Sequence, residues 1–260
     1  MRDDRLKFEV FGETNDKKIV IIAHGLFGSG RNWRGVAKKI SDAGRKVIVV
    51  DMRNHGSSFW HESHCYEDLA KDLRNIVMKF SNSADIIGHS MGGKAAMVLA
   101  LCYPQYVNKL IVVDIAPKAY GHDQLNYIST MEAVNLSLVR NRRDLDIQLA
   151  KNIEDSILRA FFSQSVDFSQ ENKKKWLLNL TSLKRNLHHI MGFPEFRSKA
   201  MCHSLFMRGS LSHYILDEYL PNIEKYFPHY KLVTIHGAGH WIHAERRDEF
   251  NHQVIKFLSD

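Results

Sequence analysis

The stretch Ala84-Asp85-Ile86-Ile87-Gly88-His89-Ser90-Met91-Gly92-Gly93-Lys94-Ala95-Ala96-Met97 decides the architecture of this chain. Its start reads as a short buried strand, and MGGKAAMVLALCY reads as a helix. Between them Gly88-His89-Ser90-Met91-Gly92 forms a G-x-S-x-G turn. A serine on so sharp a strand-to-helix turn takes a strained backbone, and the flanking glycines relieve the crowding. The turn lifts the hydroxyl clear of the sheet, near the positive end of the following helix. A bare G-x-S-x-G is also compatible with chance or an ordinary turn. The strand before it and the helix after it favour a nucleophile at Ser90.

Working outward, apolar runs bounded by turn residues alternate with helical patterns, as in a mostly parallel sheet with crossover helices. The predicted strands are Lys7–Phe11, Ile19–Ala23, Lys46–Val50, Ala84–Ile87, Lys109–Val113, Ser204–Met207 and Lys231–Ile235. Runs such as IVIIA and VIVV suit strands buried on both faces. Helices are expected over Trp33–Ala43, Tyr66–Phe80, Met91–Tyr103 and Ala244–Leu258, the last packing Phe250, Val254, Phe257 and Leu258 on the sheet. Residues 118–203 read as helical and charged, without strand candidates; Leu145, Leu149 and Ile153 mark one helix face. Lying between two sheet strands, this block is expected to sit above the strand ends as a helical cap. The core is then 1–117 with 204–260.

A serine hydroxyl needs a base to take its proton. The chain holds 15 histidines, so position must choose among them. His240 closes LVTIHGAGHW, a strand and a small-residue loop ahead of the final helix, and serine elbows of this kind take their base last in chain order. His236 and His243 are rivals, but neither ends the glycine-rich loop. Attack on a carbonyl builds negative charge on its oxygen, which two backbone N–H groups should meet. Met91, following the serine, is one donor. The loop His24-Gly25-Leu26-Phe27-Gly28 supplies the other, from Leu26 or alternatively Phe27. His24 is expected to order this loop by a hydrogen bond. In Asp51-Met52-Arg53-Asn54-His55-Gly56-Ser57-Ser58 we expect a buried Asp51–Arg53 or Arg53–carbonyl network that stabilises the loops without touching substrate.

Composition narrows the classes. The 260 residues suffice for one sizeable α/β domain. No apolar run approaches the roughly 20 residues that span a bilayer. The charged N-terminus does not read as a secretory signal, so cytoplasm is the expected compartment. Cys65, Cys102 and Cys202 have neither metal-ligand spacing nor the number for a disulfide framework. The net charge of +7 gathers at Arg140, Arg142, Arg143, Lys173, Lys174, Lys175, Lys184 and Arg185, with acids interleaved and no nucleic-acid motif. Solvated helix faces are expected there, with steering of anionic substrates as the alternative.

With HGLFGS, DMRNHGSS, GHSMGGKAAM, VVDIAP and GAGHWIHAE in this order, the chain resembles the α/β-hydrolases and, among them, the YbfF-type bacterial esterases. The match runs over nearly the whole chain and is weakest in the cap. The resemblance implies an eight-stranded, mostly parallel sheet with helices on both faces, a helical cap after strand 6, and no cofactor or metal. It implies hydrolysis of small carboxylic esters or thioesters, with Ser90 as nucleophile, His240 as base, and Leu26 and Met91 as oxyanion donors. A C–C bond hydrolase, a lipase-like activity on the same residues, and a non-catalytic binder on this scaffold are the alternatives. The acid departs from the commonest pattern. Where many members carry G-x-x-S-D, this chain reads Gly209-Ser210-Leu211-Ser212-His213. Asp114, at the end of KLIVV, takes the role in the reading we favour, because a strand end is a rigid, dry mount. Asp217 is the alternative.

Overall fold

The computed structural model describes residues 5–13, 19–121, 124–170 and 174–259. Its elements in chain order are β1 (Phe8–Phe11), β2 (Ile19–Ala23), α1 (Arg34–Asp42), β3 (Val47–Val50), α2 (Tyr66–Phe80), β4 (Ala84–His89), α3 (Met91–Cys102) and β5 (Val107–Val113). Then come α4 (Leu125–Ala133), α5 (Arg142–Leu149), α6 (Ser156–Ser163), β6 (Val166–Asp167), β7 (Lys175–Trp176), α7 (Leu180–Arg185) and α8 (Leu187–Met191). The chain closes with β8 (His203–Gly209), α9 (Leu220–Tyr226), β9 (Tyr230–Ile235), α10 (Ile242–Glu245) and α11 (Arg247–Ser259).

One sheet runs β1-β3-β2-β4-β5-β8-β9, with β1 antiparallel on its edge and the other pairs parallel. Strands β2 and β3 are buried at every position, which is why they read as continuous apolar runs. Each fully buried Ile or Val contributes on the order of 1.5–3 kcal/mol by leaving water. Helices cover both faces: α2, α3 and α9 pack on one, and α1 and α11 on the other. Helix α3 is buried nearly all round because the sheet, α2 and the segment between β5 and β8 enclose it.

Three expectations are corrected. Among the described residues the main sheet has seven strands, not eight. The seven apolar runs of the sequence account for all seven; the eighth came from the resemblance alone. The segment between β5 and β8 is mostly helical, as its pattern suggests, but it also holds the antiparallel pair β6–β7 and a bridge from Leu178 to His55. Strands of two residues are too short to show a period-two pattern. The final helix also divides, with Arg246 leaving helical geometry between α10 and α11.

Because β5 and β8 are parallel neighbours in the sheet, the segment between them leaves from the C-terminal end of β5, beside the Ser90 turn, and must return to the opposite end of the sheet to enter β8. Hydrogen bonds fasten this segment to the core: Tyr66 OH donates to Ile190 O (2.6 Å), and Lys94 Nζ donates to Met191 O (3.0 Å) and Gly192 O (2.6 Å).

Candidate active site

The elbow is held by its surroundings rather than by local preference. Ser90 sits at φ 51°, ψ −117°, outside the relaxed regions for a residue with a Cβ. Its N–H donates to Val113 O at 3.0 Å, pinning the turn to the end of β5. Gly88 and Gly92 are required by close approach. A Cβ on Gly88 would lie 2.3 Å from Gly92 O, and one on Gly92 would lie 2.4 Å from Ala23 O. Among the described residues, the non-glycine positions with positive φ are Phe27, Asn54, Ser90 and Asp114. All four belong to the loops gathered here, and such strain persists only where surroundings over-determine it.

Asp114 is fully buried at the end of β5. His240 Nδ1 lies 2.8 Å from Asp114 Oδ2. Gly209 N–H donates to Oδ1 at 3.1 Å, and the Ser212 hydroxyl donates to Oδ2. Burial pushes the Asp114 carboxyl up, to about 7, against the pull of the Ser212 and Gly209 donors. Asp217 is elsewhere: it is exposed and pairs with Arg208 at 2.6 Å. His236 is exposed, and His243 is buried with its ring stacked 4.1 Å from Trp33.

His240 is held from three sides. Asp114 takes its Nδ1, the Tyr214 ring stacks on it at 3.9 Å, and His89 Nε2 donates to its carbonyl at 3.0 Å. Sequence reasoning favoured Asp114 for this place but missed Tyr214 and His89. His89 lies inside the elbow motif and carried a usable signal. Ser212 sits in the segment searched for an acid, and it serves that acid with a hydroxyl instead.

The loop after β2 is a tight turn in which Gly28 N–H donates to Gly25 O at 3.1 Å. His24 orders it as expected: its Nδ1–H donates to Gly25 O (2.8 Å), and its Nε2 accepts from Met52 N–H (2.9 Å). Burial keeps this ring neutral, lowering its pKa to about 4. A trans peptide points its N–H opposite to its C=O. Fixing Gly25 O therefore aims the Leu26 N–H the other way. The Phe27 N–H is taken by His55 Nε2 at 3.2 Å.

In the third loop Arg53 does not pair with Asp51. Its guanidinium grips Asp72 in two-point fashion (2.6 and 3.0 Å) and donates to Ser63 O (3.3 Å), the carbonyl alternative of the sequence reading. Asp51 instead accepts the N–H groups of Gly30 (2.7 Å) and Ser57 (2.8 Å).

Ser90, His240, Leu26 and Met91 all line one cavity of about 250 Å³. Its walls also include Phe27, Tyr127, Leu158, Phe161, Phe162 and Trp241, an apolar and aromatic surface drawn largely from the segment between β5 and β8.

A family model described as the alpha/beta hydrolase fold matches residues 18–184. The chain is 36% identical to the sn-1-specific diacylglycerol lipase ABHD11 of Danio rerio, covering 97% of this chain and 82% of that protein. It is 31% identical to Esterase YbfF of Escherichia coli (strain K12), covering 93% of each. A solved structure titled "Marine microorganism esterase" superposes with a TM-score of 0.92 at 36% identity, over 97% of this chain and 99% of that one. A serine elbow on a mostly parallel sheet, a family match over most of the chain and relatives at this similarity lead to one conclusion: the chain belongs to the α/β-hydrolase family.

Proposed function

We propose that this protein hydrolyses small-molecule carboxylic esters through an acyl-serine intermediate, with Ser90, His240 and Asp114 as its catalytic triad. The observation that carries the proposal is the buried Asp114 carboxylate on His240 Nδ1, with His240 and Ser90 on the wall of one cavity. In this reading Asp114 keeps the Nδ1–H tautomer, so that Nε2 is the nitrogen that takes the Ser90 proton as Oγ attacks the carbonyl carbon. The oxyanion that forms is met by the N–H groups of Leu26 and Met91. Support for Leu26 over Phe27 is that the Phe27 N–H is already committed to His55. Collapse expels the alcohol, which takes the proton from His240. Water, deprotonated by the same ring, then attacks the acyl-serine and releases the acid.

Residues 118–203 act as a cap in this account, because they supply Tyr127, Leu158, Phe161 and Phe162 to the acyl-binding wall. Such a wall suits an apolar acyl group. The relatives named as esterases and as a diacylglycerol lipase point to the same bond type. Thioesters share the chemistry, and a panel of acyl esters and acyl thioesters of graded length separates the two.

Ser90→Ala is the direct test. It is expected to abolish cleavage of short-chain aryl esters while the melting temperature stays near that of the parent protein. A folded Ser90→Ala protein with full activity would sink the proposal.

A further inference from the structure

The loop Arg53-Asn54-His55-Gly56 carries chemistry that the proposed triad does not use. His55 is fully buried, and both of its ring nitrogens are committed. Nδ1–H donates to Arg53 O at 2.9 Å, so Nε2 bears a lone pair and accepts from Phe27 N–H at 3.2 Å. Phe27 is the third residue of the Gly25–Gly28 turn and sits at φ 63°. That position of a turn with positive φ favours glycine, and flipping the peptide between its two central residues gives the relaxed alternative. Here the flip would turn Phe27 N–H away and bring Leu26 O towards His55 Nε2, where two lone pairs would face each other.

The other side of Phe27 is held as well. Its carbonyl accepts the Ser165 hydroxyl at 2.8 Å, and Ser165 lies between α6 and β6, outside the sheet. His55 itself bridges to Leu178 in that same segment. Thus one strained residue is gripped at its N–H by the core and at its C=O by residues 118–203. The residue before it, Leu26, carries the oxyanion donor of the proposed reaction, and the Phe27 ring packs edge-on against Phe162 at 5.4 Å in the cavity wall.

We propose that His55 is a positioning residue for the oxyanion hole: by accepting the Phe27 N–H it locks the Leu26–Phe27 peptide in its strained orientation. Ser165 completes the lock from the opposite side. Neither residue touches the substrate. The Leu26 N–H belongs to the preceding Gly25–Leu26 peptide, which the hold of His24 on Gly25 O aims. By fixing the next peptide and Phe27, His55 and Ser165 clamp Leu26 from its other side and keep that N–H in place, and they make the hole depend on how residues 118–203 seat on the core.

This inference rests on the ester-hydrolase reading, so its test includes Ser90→Ala as a separate arm. Kinetics of a 4-nitrophenyl butyrate series are measured for the parent protein, His55→Leu, His55→Gln and Ser165→Ala, with melting temperatures alongside. His55→Leu removes the acceptor and is expected to lower kcat at least tenfold with KM within about twofold. His55→Gln restores an acceptor near the Nε2 position and should recover most of that loss. Ser165→Ala should lower kcat a few-fold. Should His55→Leu fail to fold, His55→Gln with near-parent kcat and Ser165→Ala with reduced kcat still carry the inference. Parent-like kcat in a folded His55→Leu protein overturns it, as does a loss in His55→Gln equal to that in His55→Leu. With His55→Leu unfolded, parent-like kcat in Ser165→Ala also overturns it. Undiminished activity in Ser90→Ala overturns the ester-hydrolase reading itself.

Discussion

Asp114 does its proposed work through a single pair of oxygens, and each partner on them has a distinct consequence. Its Oδ2 faces His240 Nδ1 and the Ser212 hydroxyl. Asp114→Asn keeps the shape but disfavours the Nδ1–H tautomer, so kcat should fall about 10³–10⁴-fold. Asp217→Asn, at an exposed carboxylate paired with Arg208, should leave kcat within twofold. Equal losses in the two variants would refute the assignment. Ser212→Ala removes a donor that pulls the Asp114 carboxyl down. The carboxyl should then ionise at a higher pH, and the acid limb of the kcat/KM profile should move upward; an unmoved limb would deny Ser212 that role. Ser90 and His240 are legible in the sequence because their signals are local: an elbow with its strand and helix, and a histidine ending a glycine-rich loop. Asp114 is legible as the carboxylate on a buried strand end. Ser212, Tyr214 and His55 are not, because their roles arise from partners 98, 26 and 28 residues away that only the folded sheet brings near.

The elements follow from burial and periodicity, and they fail where these carry no information. Helix α11 presents Phe250, Val254, Phe257 and Leu258 to the sheet face also covered by α1, as the spacing in the sequence implies. Phe250 is completely buried and meets Trp33 edge-on at 6.0 Å. Phe250→Ala should cost about 3–5 kcal/mol of stability, read as a lower midpoint in urea with little change in KM. A loss under about 1 kcal/mol would mean that α11 is not packed as described. The strands β6 and β7 and the break at Arg246 escaped the sequence reading for the opposite reason. Two paired residues are shorter than one period of alternation, and a one-residue break leaves the apolar spacing of α11 intact.

At the scale of the whole molecule, the elements around the candidate site share a store of buried, uncharged histidines. Burial lowers the pKa of His24 to about 4 and of His55 to about 3, and moves those of His64, His89 and His243 down as well. In the unfolded chain these rings titrate near 6.5, so their contribution is complete above that pH and is lost as pH falls through it towards the folded values. Each ring forfeits up to about 1.4 kcal/mol per pH unit over that interval. Asp114 works in the reverse sense, its contribution being lost as pH rises from the ordinary carboxylate range through about 7, but it is one group against several. The melting temperature should therefore drop by several degrees between pH 7.5 and pH 5, and a flat profile would contradict this. Two of these neutral rings, His24 and His55, hold the oxyanion loop on which the proposed chemistry at Ser90 depends. That chemistry is tested most directly by treating the protein with a fluorophosphonate, mapping the adduct by peptide mass spectrometry and following esterase activity in the same samples. The account predicts one adduct, on Ser90, formed in step with the loss of activity; a protein that stays active with Ser90 fully labelled, or that is inactivated by an adduct elsewhere, would contradict it.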